Sequence, residues 1–240
     1  MRTALLISDL HLSRERPATL ALLRRFLRDE ATRAEQLYIL GDLFDAWIGD
    51  DDPEWNDVIG WLAALSRAGT QVLFQHGNRD FLLGQRFVEA TGGQLLAEEA
   101  LVDLPSGPAL LMHGDTLCRD DTQYQQARKL LRNSDFISEF LSKPLSERRI
   151  IAEDYRKRSG EATSLLADDI MDVNADAVAD AFHRHHATTL IHGHTHRAAQ
   201  HAFELDGKPA VRWVLPEWRE ERAGYLRSTA TGIQSHDFLS

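Results

Sequence analysis

Short apolar runs alternate with helical patterns along the first part of the chain. Ala4–Ser8, Gln36–Leu40 and Gln71–Gln75 have the length of strands, and each is followed by polar residues. Helical periodicity covers Pro17–Arg33 and the stretch around Trp55–Arg67. This alternation predicts an α/β fold in which ligands bind beyond the carboxyl ends of the strands.

Shorter apolar runs follow and indicate a second sheet packed against the first. Leu101–Leu104 and Ala109–Met112 are separated by a turn containing proline and glycine. His201–Leu205 and Ala210–Leu215 flank Asp206-Gly207, a strong hairpin signal.

The segment between these strands, residues 119–170, is helical in character. Residues 119–160 hold ten Lys plus Arg against seven Asp plus Glu, although the whole chain of 240 residues has a net charge of -10. A basic insertion in an acidic protein favours a separate surface task. The alternative is an ordinary solvated helical face.

Composition limits the classes of function. A hydrophobic fraction of 43% is typical of a globular protein, and the acidic net charge argues against a nucleic-acid partner. Cys118 is the single cysteine, so no intrachain disulfide forms; we expect a buried packing residue, with a nucleophile as the alternative. The chain shows no export signal, so we expect a cytoplasmic monomer with only peripheral membrane contact.

Metal-ligand side chains follow the apolar runs in five motifs. These are Asp9-Leu10-His11, Gly41-Asp42, Gly77-Asn78-Arg79-Asp80, His113-Gly114-Asp115 and Gly193-His194-Thr195-His196. In extended backbone, residues two apart project to the same side and can converge on one cation. The mixture of His, Asp and Asn favours two ions of manganese, iron or zinc, with Asp42 as the bridging carboxylate. Nearby His183, His185 and His186 fit a helix end and are given no catalytic role.

The order of these motifs resembles that of the calcineurin-like metallophosphoesterases. The resemblance implies a four-layer αββα sandwich over residues 1–240, with residues 119–170 inserted as a helical cap. It also implies a hydroxide that bridges the two metals and attacks phosphorus. The implied ligands of one metal are Asp9, His11, Asp42 and His196, and those of the other are Asp42, Asn78, His113 and His194.

Arg79 narrows the choice of substrate. Many members of the superfamily have a histidine after the metal-binding asparagine, where it can protonate an alkoxide. A guanidinium cannot act as that acid, but it stabilises the charge of a departing phosphate. Arg79 therefore favours a pyrophosphate substrate; the alternative is a structural ion pair with Asp80.

Longer stretches resemble the UDP-2,3-diacylglucosamine hydrolase family of lipid A biosynthesis. They include residues 7–12, 40–44, 47–51, 76–81, 112–115, 170–173 and 190–197. The resemblance implies release of UMP and 2,3-diacylglucosamine 1-phosphate by a di-manganese enzyme at the cytoplasmic face of the inner membrane. The implied substrate contacts are Asn78, Arg79, Asp121, Ser159, Thr163 and His194, of which Asn78, Arg79 and His194 are the candidate catalytic residues.

Two positions depart from that family's pattern. Leu166 stands where a substrate-binding lysine is common in the cap, and Pro216-Glu217 stands in place of Gly-Asp.

Three other functions are compatible with parts of the sequence: a non-catalytic scaffold, a nuclease and a pyrophosphatase for soluble sugar nucleotides.

The cap sequence also predicts contact with anionic lipid. Phe136–Leu141 has aromatic and aliphatic side chains at near-helical spacing, and basic residues follow it. Alternatively, this stretch packs the cap against the sandwich. The basic residues are Lys143, Arg148, Arg149, Arg156, Lys157 and Arg158.

Overall fold

The computed structural model describes residues 2–164 and 172–239, and the side chains of all these residues except 158–164. The helices are α1 (Pro17–Asp29), α2 (Asn56–Arg67), α3 (Gln85–Thr91), α4 (Thr122–Leu131), α5 (Ser134–Ser142), α6 (Leu145–Ser164) and α7 (Ala175–His185). The strands are β1 (Ala4–Ile7), β2 (Gln36–Leu40), β3 (Gln71–Gln75), β4 (Gln94–Leu95), β5 (Glu99–Leu104), β6 (Gly107–Met112), β7 (Thr189–His192), β8 (Ala199–Leu205), β9 (Lys208–Val214), β10 (Arg222–Thr229) and β11 (Gly232–Leu239).

The strands form two sheets that pack face to face. The first has the order β11-β10-β1-β2-β3-β4, and the second has the order β5-β6-β7-β9-β8. Strands β1, β2 and β3 are parallel to one another, as are β6 and β7. The carboxyl ends within each parallel set therefore lie at one edge of its sheet.

Alternating side chains of the strands fill three apolar layers. Leu5 and Ile39 of the first sheet pack outwards against α1, α2 and α3, whereas Leu6 packs inwards towards the second sheet. Leu110 of the second sheet packs outwards against α7. The layer order is therefore helices, sheet, sheet, helix, which confirms the predicted αββα sandwich. Among the described residues, no helix is both long and apolar enough to cross a membrane.

The sequence prediction misplaced the end of α1 and missed α3, β4 and the hairpin β10–β11. Helix α1 ends at Asp29, and a separate 3-10 turn covers Ala31–Arg33, so the predicted helix to Arg33 was too long. The hairpin β10–β11 was not predicted. It extends the first sheet, because β10 pairs antiparallel with β1.

Helices α4, α5 and α6, which we call the cap helices, contain most of the predicted basic insertion. Its cations pair with carboxylates of the sandwich: Arg148 with Asp51 at 2.5 Å, Arg149 with Asp52 at 2.6 Å, and Arg156 with Asp45 at 2.7 Å. The basic charge of the cap thus docks α6 on the loop after β2. These three arginines therefore do not form the ordinary solvated helical face that was the alternative interpretation of the basic insertion.

Candidate metal centre

The predicted ligands follow five different strands. Asp9 follows β1, Asp42 follows β2 and Asn78 follows β3. His113 follows β6, while His194 and His196 follow β7. The two parallel sets of strands thus bring ligands from both sheets into one cleft, as the motif order predicted.

The backbone at these ligands differs from the prediction. Five of the seven have a positive φ, in the left-handed region that non-glycine residues rarely adopt. They are Asp9, His11, Asp42, His194 and His196. The extended backbone expected for the pairs 9/11 and 194/196 was therefore wrong. Backbone strain of this kind is concentrated at functional sites, where surrounding contacts hold it in place.

One group of donor atoms consists of Asp9, His11 and His196. The Nε2 atoms of His11 and His196 are 3.2 Å apart, and His196 Nε2 is 3.4 Å from Asp9 Oδ1. The carboxylate of Asp9 also accepts hydrogen bonds from Ser8 Oγ and from the backbone N–H of His194. These bonds fix its direction towards the two imidazoles.

The second group of donor atoms consists of Asp9, Asp42 and His113, so the two groups share the Asp9 carboxylate. Asp42 Oδ2 lies 3.8 Å from His11 Nε2 and 3.7 Å from His113 Nε2, between the two groups. Asn78 Oδ1 lies 2.9 Å from both His113 Nε2 and His194 Nδ1. This position of Asp42 is the one that a bridging carboxylate requires.

The donor atoms fit bound cations better than they fit one another. His113 Nδ1 donates to the Leu40 carbonyl, and its Nε2 lies 2.9 Å from the Asn78 oxygen. Burial disfavours a charged ring here, but Asp42, Asp9 and Asp115 outweigh burial and raise the pKa of His113, so the surroundings favour positive charge at this point. Asp9 and Asp42 are both buried, and burial raises the pKa of Asp42 to about 7, with Asp80 and Asp9 adding to the rise. Adjacent buried carboxylates favour a cation between them.

Burial also keeps two of the imidazoles neutral. It lowers the pKa of His11 to about 3 and that of His194 to about 4. A neutral imidazole is the form that binds a metal. At neutral pH both rings therefore have a lone pair available.

Glycines allow the ligand loops to approach closely. A Cβ atom at Gly77 would collide with the carboxylate of Asp42, and one at Gly193 would collide with that of Asp9. The predicted role of glycine beside the ligands is thus confirmed at these two positions.

Glu217 contributes to the site in a way that sequence reasoning missed. Its Oε2 accepts a hydrogen bond of 2.8 Å from His196 Nδ1, which directs Nε2 of that ring at Asp9 and the donor group. An outer carboxylate of this kind fixes both the tautomer and the orientation of a ligating histidine. The sequence feature that could have revealed this role is Pro216-Glu217, the departure from the family's pattern. The backbone N–H of the next residue, Trp218, donates to the Asp9 carbonyl, and this bond holds the Glu217 carboxylate beside the metal ligands.

Comparisons with known proteins identify the family of this chain. Residues 2–198 match the family described as calcineurin-like phosphoesterase. The chain belongs to the calcineurin-like phosphoesterase family. It is 49% identical over 98% of both chains to a UDP-2,3-diacylglucosamine hydrolase of Serratia proteamaculans. A protein of the same name from Aromatoleum aromaticum is 46% identical, over 96% of this chain and 94% of that protein. Among solved structures, an archaeal phosphodiesterase covers 99% of both chains with 12% identity and a TM-score of 0.49.

Arg79 of this phosphoesterase lines the metal cleft. Its guanidinium makes no hydrogen bond or ion pair with any side chain or backbone group of residues 2–157 and 172–239. Asp80 instead accepts hydrogen bonds from the backbone N–H groups of Asp42, Leu43 and Gly77. The alternative of an Arg79–Asp80 ion pair is therefore not what the structure contains.

Two cavities meet at Arg79. The metal cleft is lined by His11, Asp42, Asn78, Arg79, Asp121, Tyr124 and His194 to Arg197. The cap cavity shares Asn78, Arg79 and Tyr124 with it, and lies under the cap helices. Its apolar lining comprises Trp47, Phe81, Leu82, Leu131, Phe136, Phe140, Ile151 and Tyr155.

The remaining predicted contacts have mixed outcomes. Asp121 lines the metal cleft, and its side chain caps α4 by accepting from the Tyr124 N–H. Ser159 and Thr163 lie on α6, but their side chains are outside the described part of the structure. Leu166 lies outside the described residues altogether.

Cys118 and the histidines near the end of α7 were given no role in metal binding. Cys118 is buried, and burial raises the pKa of its thiol to about 12, which fits a packing residue and not a nucleophile. His183 and His185 lie in the last turn of α7 and pair with Asp206 and Glu99.

Proposed function

We propose that this chain hydrolyses the pyrophosphate bond of UDP-2,3-diacylglucosamine, giving UMP and 2,3-diacylglucosamine 1-phosphate for lipid A biosynthesis. The observation that carries the proposal is the direct junction of the apolar cap cavity with the metal cleft at Asn78 and Arg79. A substrate with acyl chains on one side of a pyrophosphate matches that junction. The names of the full-length relatives support the same substrate.

We propose that one metal is held by Asp9, His11, Asp42 and His196. The other is held by Asp42, Asn78, His113 and His194, so Asp42 is shared between them. We propose manganese in both sites, because the donors combine imidazoles with carboxylate and amide oxygens. When bound, two such ions supply Lewis acidity for the phosphoryl oxygens and activate water. Glu217 orients the imidazole of His196 and the Leu40 carbonyl that of His113, while the His194 N–H orients the Asp9 carboxylate.

Arg79 stabilises the charge of the departing phosphate. Its guanidinium has no protein partner among the described residues, so its donors are available to two phosphate oxygens at once. Its backbone N–H donates to Asp42 Oδ1 at 2.8 Å, which couples its position to the metal centre. Asn78 and His194, together with Asp121, Ser159 and Thr163, complete the proposed substrate contacts.

The proposed site of action is the cytoplasmic face of the inner membrane, where the chain acts as a peripheral monomer. Exposed apolar side chains of the cap support this, since Leu130 is 57% and Ile150 is 68% exposed. Several residues that were predicted to contact anionic lipid are, however, engaged within the protein. Arg148 is buried, Lys143, Arg149 and Arg156 are ion-paired, and Phe136 and Phe140 line the cap cavity.

Filling the cap cavity tests the proposal. Ala127 lines this cavity from α4, so Ala127→Trp should obstruct acyl chains and lower kcat/KM for UDP-2,3-diacylglucosamine by at least tenfold. The matched control is Gln126→Trp, at an exposed position of the same helix that does not line the cavity.

If the chain were instead a pyrophosphatase for soluble sugar nucleotides, both the substrate preference and the effect of Ala127→Trp would differ. For that function UDP-N-acetylglucosamine would be the better substrate, and Ala127→Trp would leave its hydrolysis unchanged. Equal activity of Ala127→Trp and wild type on the lipid substrate would reject the cap cavity as the acyl site.

A further inference from the structure

A second cavity adjoins the metal cleft and shares no residue with the cap cavity. We call it the side cavity. It is lined by Asp172, Thr195, Arg197, His201, Arg212 and Val214, together with Ala198 and Ala199. Thr195 and Arg197 belong to both the metal cleft and the side cavity. Its volume of about 300 Å³ is at the lower end of the range of roughly 300–1,000 Å³ for small-molecule sites.

The register of β8 and β9 explains the polar wall of this cavity. His201 lies opposite Arg212, and Ala199 lies opposite Val214. Because side chains alternate between the faces of a strand, these four project from the same face of the second sheet. Ala210, on that face of β9, packs in the layer against α7. Nearer the metal cleft, the same face forms the wall of the side cavity.

Arg212 is the least satisfied group in this wall. Its side chain is buried, with 9% of the residue exposed, and its Nη1 donates to Nε2 of His192, a neutral partner. Asp172 lines the same cavity, but it bonds to Arg197 at 2.9 Å and forms no ion pair with Arg212, nor does any other residue of the ranges 2–157 and 172–239. Asp172 still acts on Arg212 through space and offsets part of the cost of burying this charge. A ligand with acceptor oxygens would complete the bonding of the guanidinium.

Thr195 provides a second, independent observation. Its hydroxyl oxygen is buried and makes no hydrogen bond within the described part of the chain. Buried hydroxyl groups are normally bonded. A buried hydroxyl without a hydrogen bond and a buried guanidinium whose one bonded partner is a neutral imidazole therefore line one cavity.

We propose that the side cavity binds the nucleoside of the pyrophosphate substrate, with Arg212, Thr195 and His201 bonding to its carbonyl and hydroxyl groups. This inference rests on the proposed function. A pyrophosphate held in the metal cleft has two arms, and the apolar cap cavity suits only the acyl arm. The polar side cavity, reached through Thr195 and Arg197, is then the place for the uridine arm.

Binding of UMP and of inorganic phosphate to the manganese-loaded, full-length enzyme separates this site from the metal centre. His201→Ala removes an exposed side chain, and Arg212→Gln removes the charge while keeping an N–H donor. Each should weaken UMP binding, measured by calorimetry, by about tenfold and leave phosphate binding unchanged. Gln200→Ala is the matched control, since Gln200 is the exposed neighbour on β8 outside the cavity.

Three outcomes overturn part of the account. Unchanged UMP affinity in both variants, in an enzyme whose wild type releases UMP from the lipid substrate, rejects the side cavity alone. Parallel loss of UMP and phosphate binding also rejects it, because the residues would then act through the metal centre. A wild type that releases no UMP rejects the proposed function itself.

Discussion

Glu217 offers a sharp test of the metal centre, because it touches a ligand without being one. Its Oε2 accepts from His196 Nδ1 at 2.8 Å, and its other oxygen pairs with Arg219. Glu217→Gln keeps the size of the side chain and one acceptor oxygen but removes the charge. Glu217→Ala removes the hydrogen bond as well.

The expected loss follows from the role of the carboxylate in fixing the ring. Removing an outer partner of a ligating histidine costs roughly 10–100-fold in metal affinity or activity, or about 1.4–2.8 kcal/mol. We expect Glu217→Gln near the lower limit, because an acceptor remains, and Glu217→Ala near the upper limit. The loss should fall on the metal that His196 holds, since the group around His113 and Asn78 does not involve Glu217.

Titration of metal-free protein with Mn²⁺, followed by calorimetry, measures this loss directly. Glu220→Gln is the control, because Glu220 is exposed in the same loop. Turnover at saturating Mn²⁺ then shows whether added metal restores the variants. Wild-type manganese affinity in Glu217→Ala would refute the orienting role of this carboxylate.

Three further predictions follow from the site and the cap. Asp42→Ala should abolish nearly all turnover while the circular dichroism spectrum stays native, and full activity of this variant or of metal-stripped protein would contradict a two-metal site. Arg79→Lys keeps the charge but loses the bidentate fork, so kcat/KM should fall about 10–100-fold with metal content unchanged; a wild-type rate would remove the leaving-group argument. Sedimentation with anionic vesicles should show binding at low salt that weakens at high salt, and no binding at low salt would leave the cap as an acyl-chain cavity only.

The sequence predicted where the candidate ligands lie in the fold, because each follows an apolar strand. In Gln36–Leu40, for example, the run ends directly before Gly41-Asp42, and β2 occupies that range in the structure. The hairpin β10–β11 escaped prediction for a physical reason. Arg227 and Ser228 interrupt its apolar pattern, and their partners Glu30 and Ser106 are distant in sequence.

Other features depend on tertiary contacts that no local pattern contains. The positive φ of Asp9 and His194 is unfavourable in isolation and is maintained where the His194 N–H donates to the Asp9 carboxylate. The pairing of Arg148 with Asp51 joins positions 97 residues apart, so a charge count could not distinguish docking from solvation.

The most direct test of the account is UMP release by manganese-loaded wild-type enzyme from UDP-2,3-diacylglucosamine, with UDP-N-acetylglucosamine as the matched substrate without acyl chains. We expect metal-dependent UMP release from the lipid substrate. Its kcat/KM should be at least a hundredfold above that for the soluble substrate, a difference of about 2.8 kcal/mol in transition-state stabilisation. Equal kcat/KM values, or release that persists after metal removal, would contradict it.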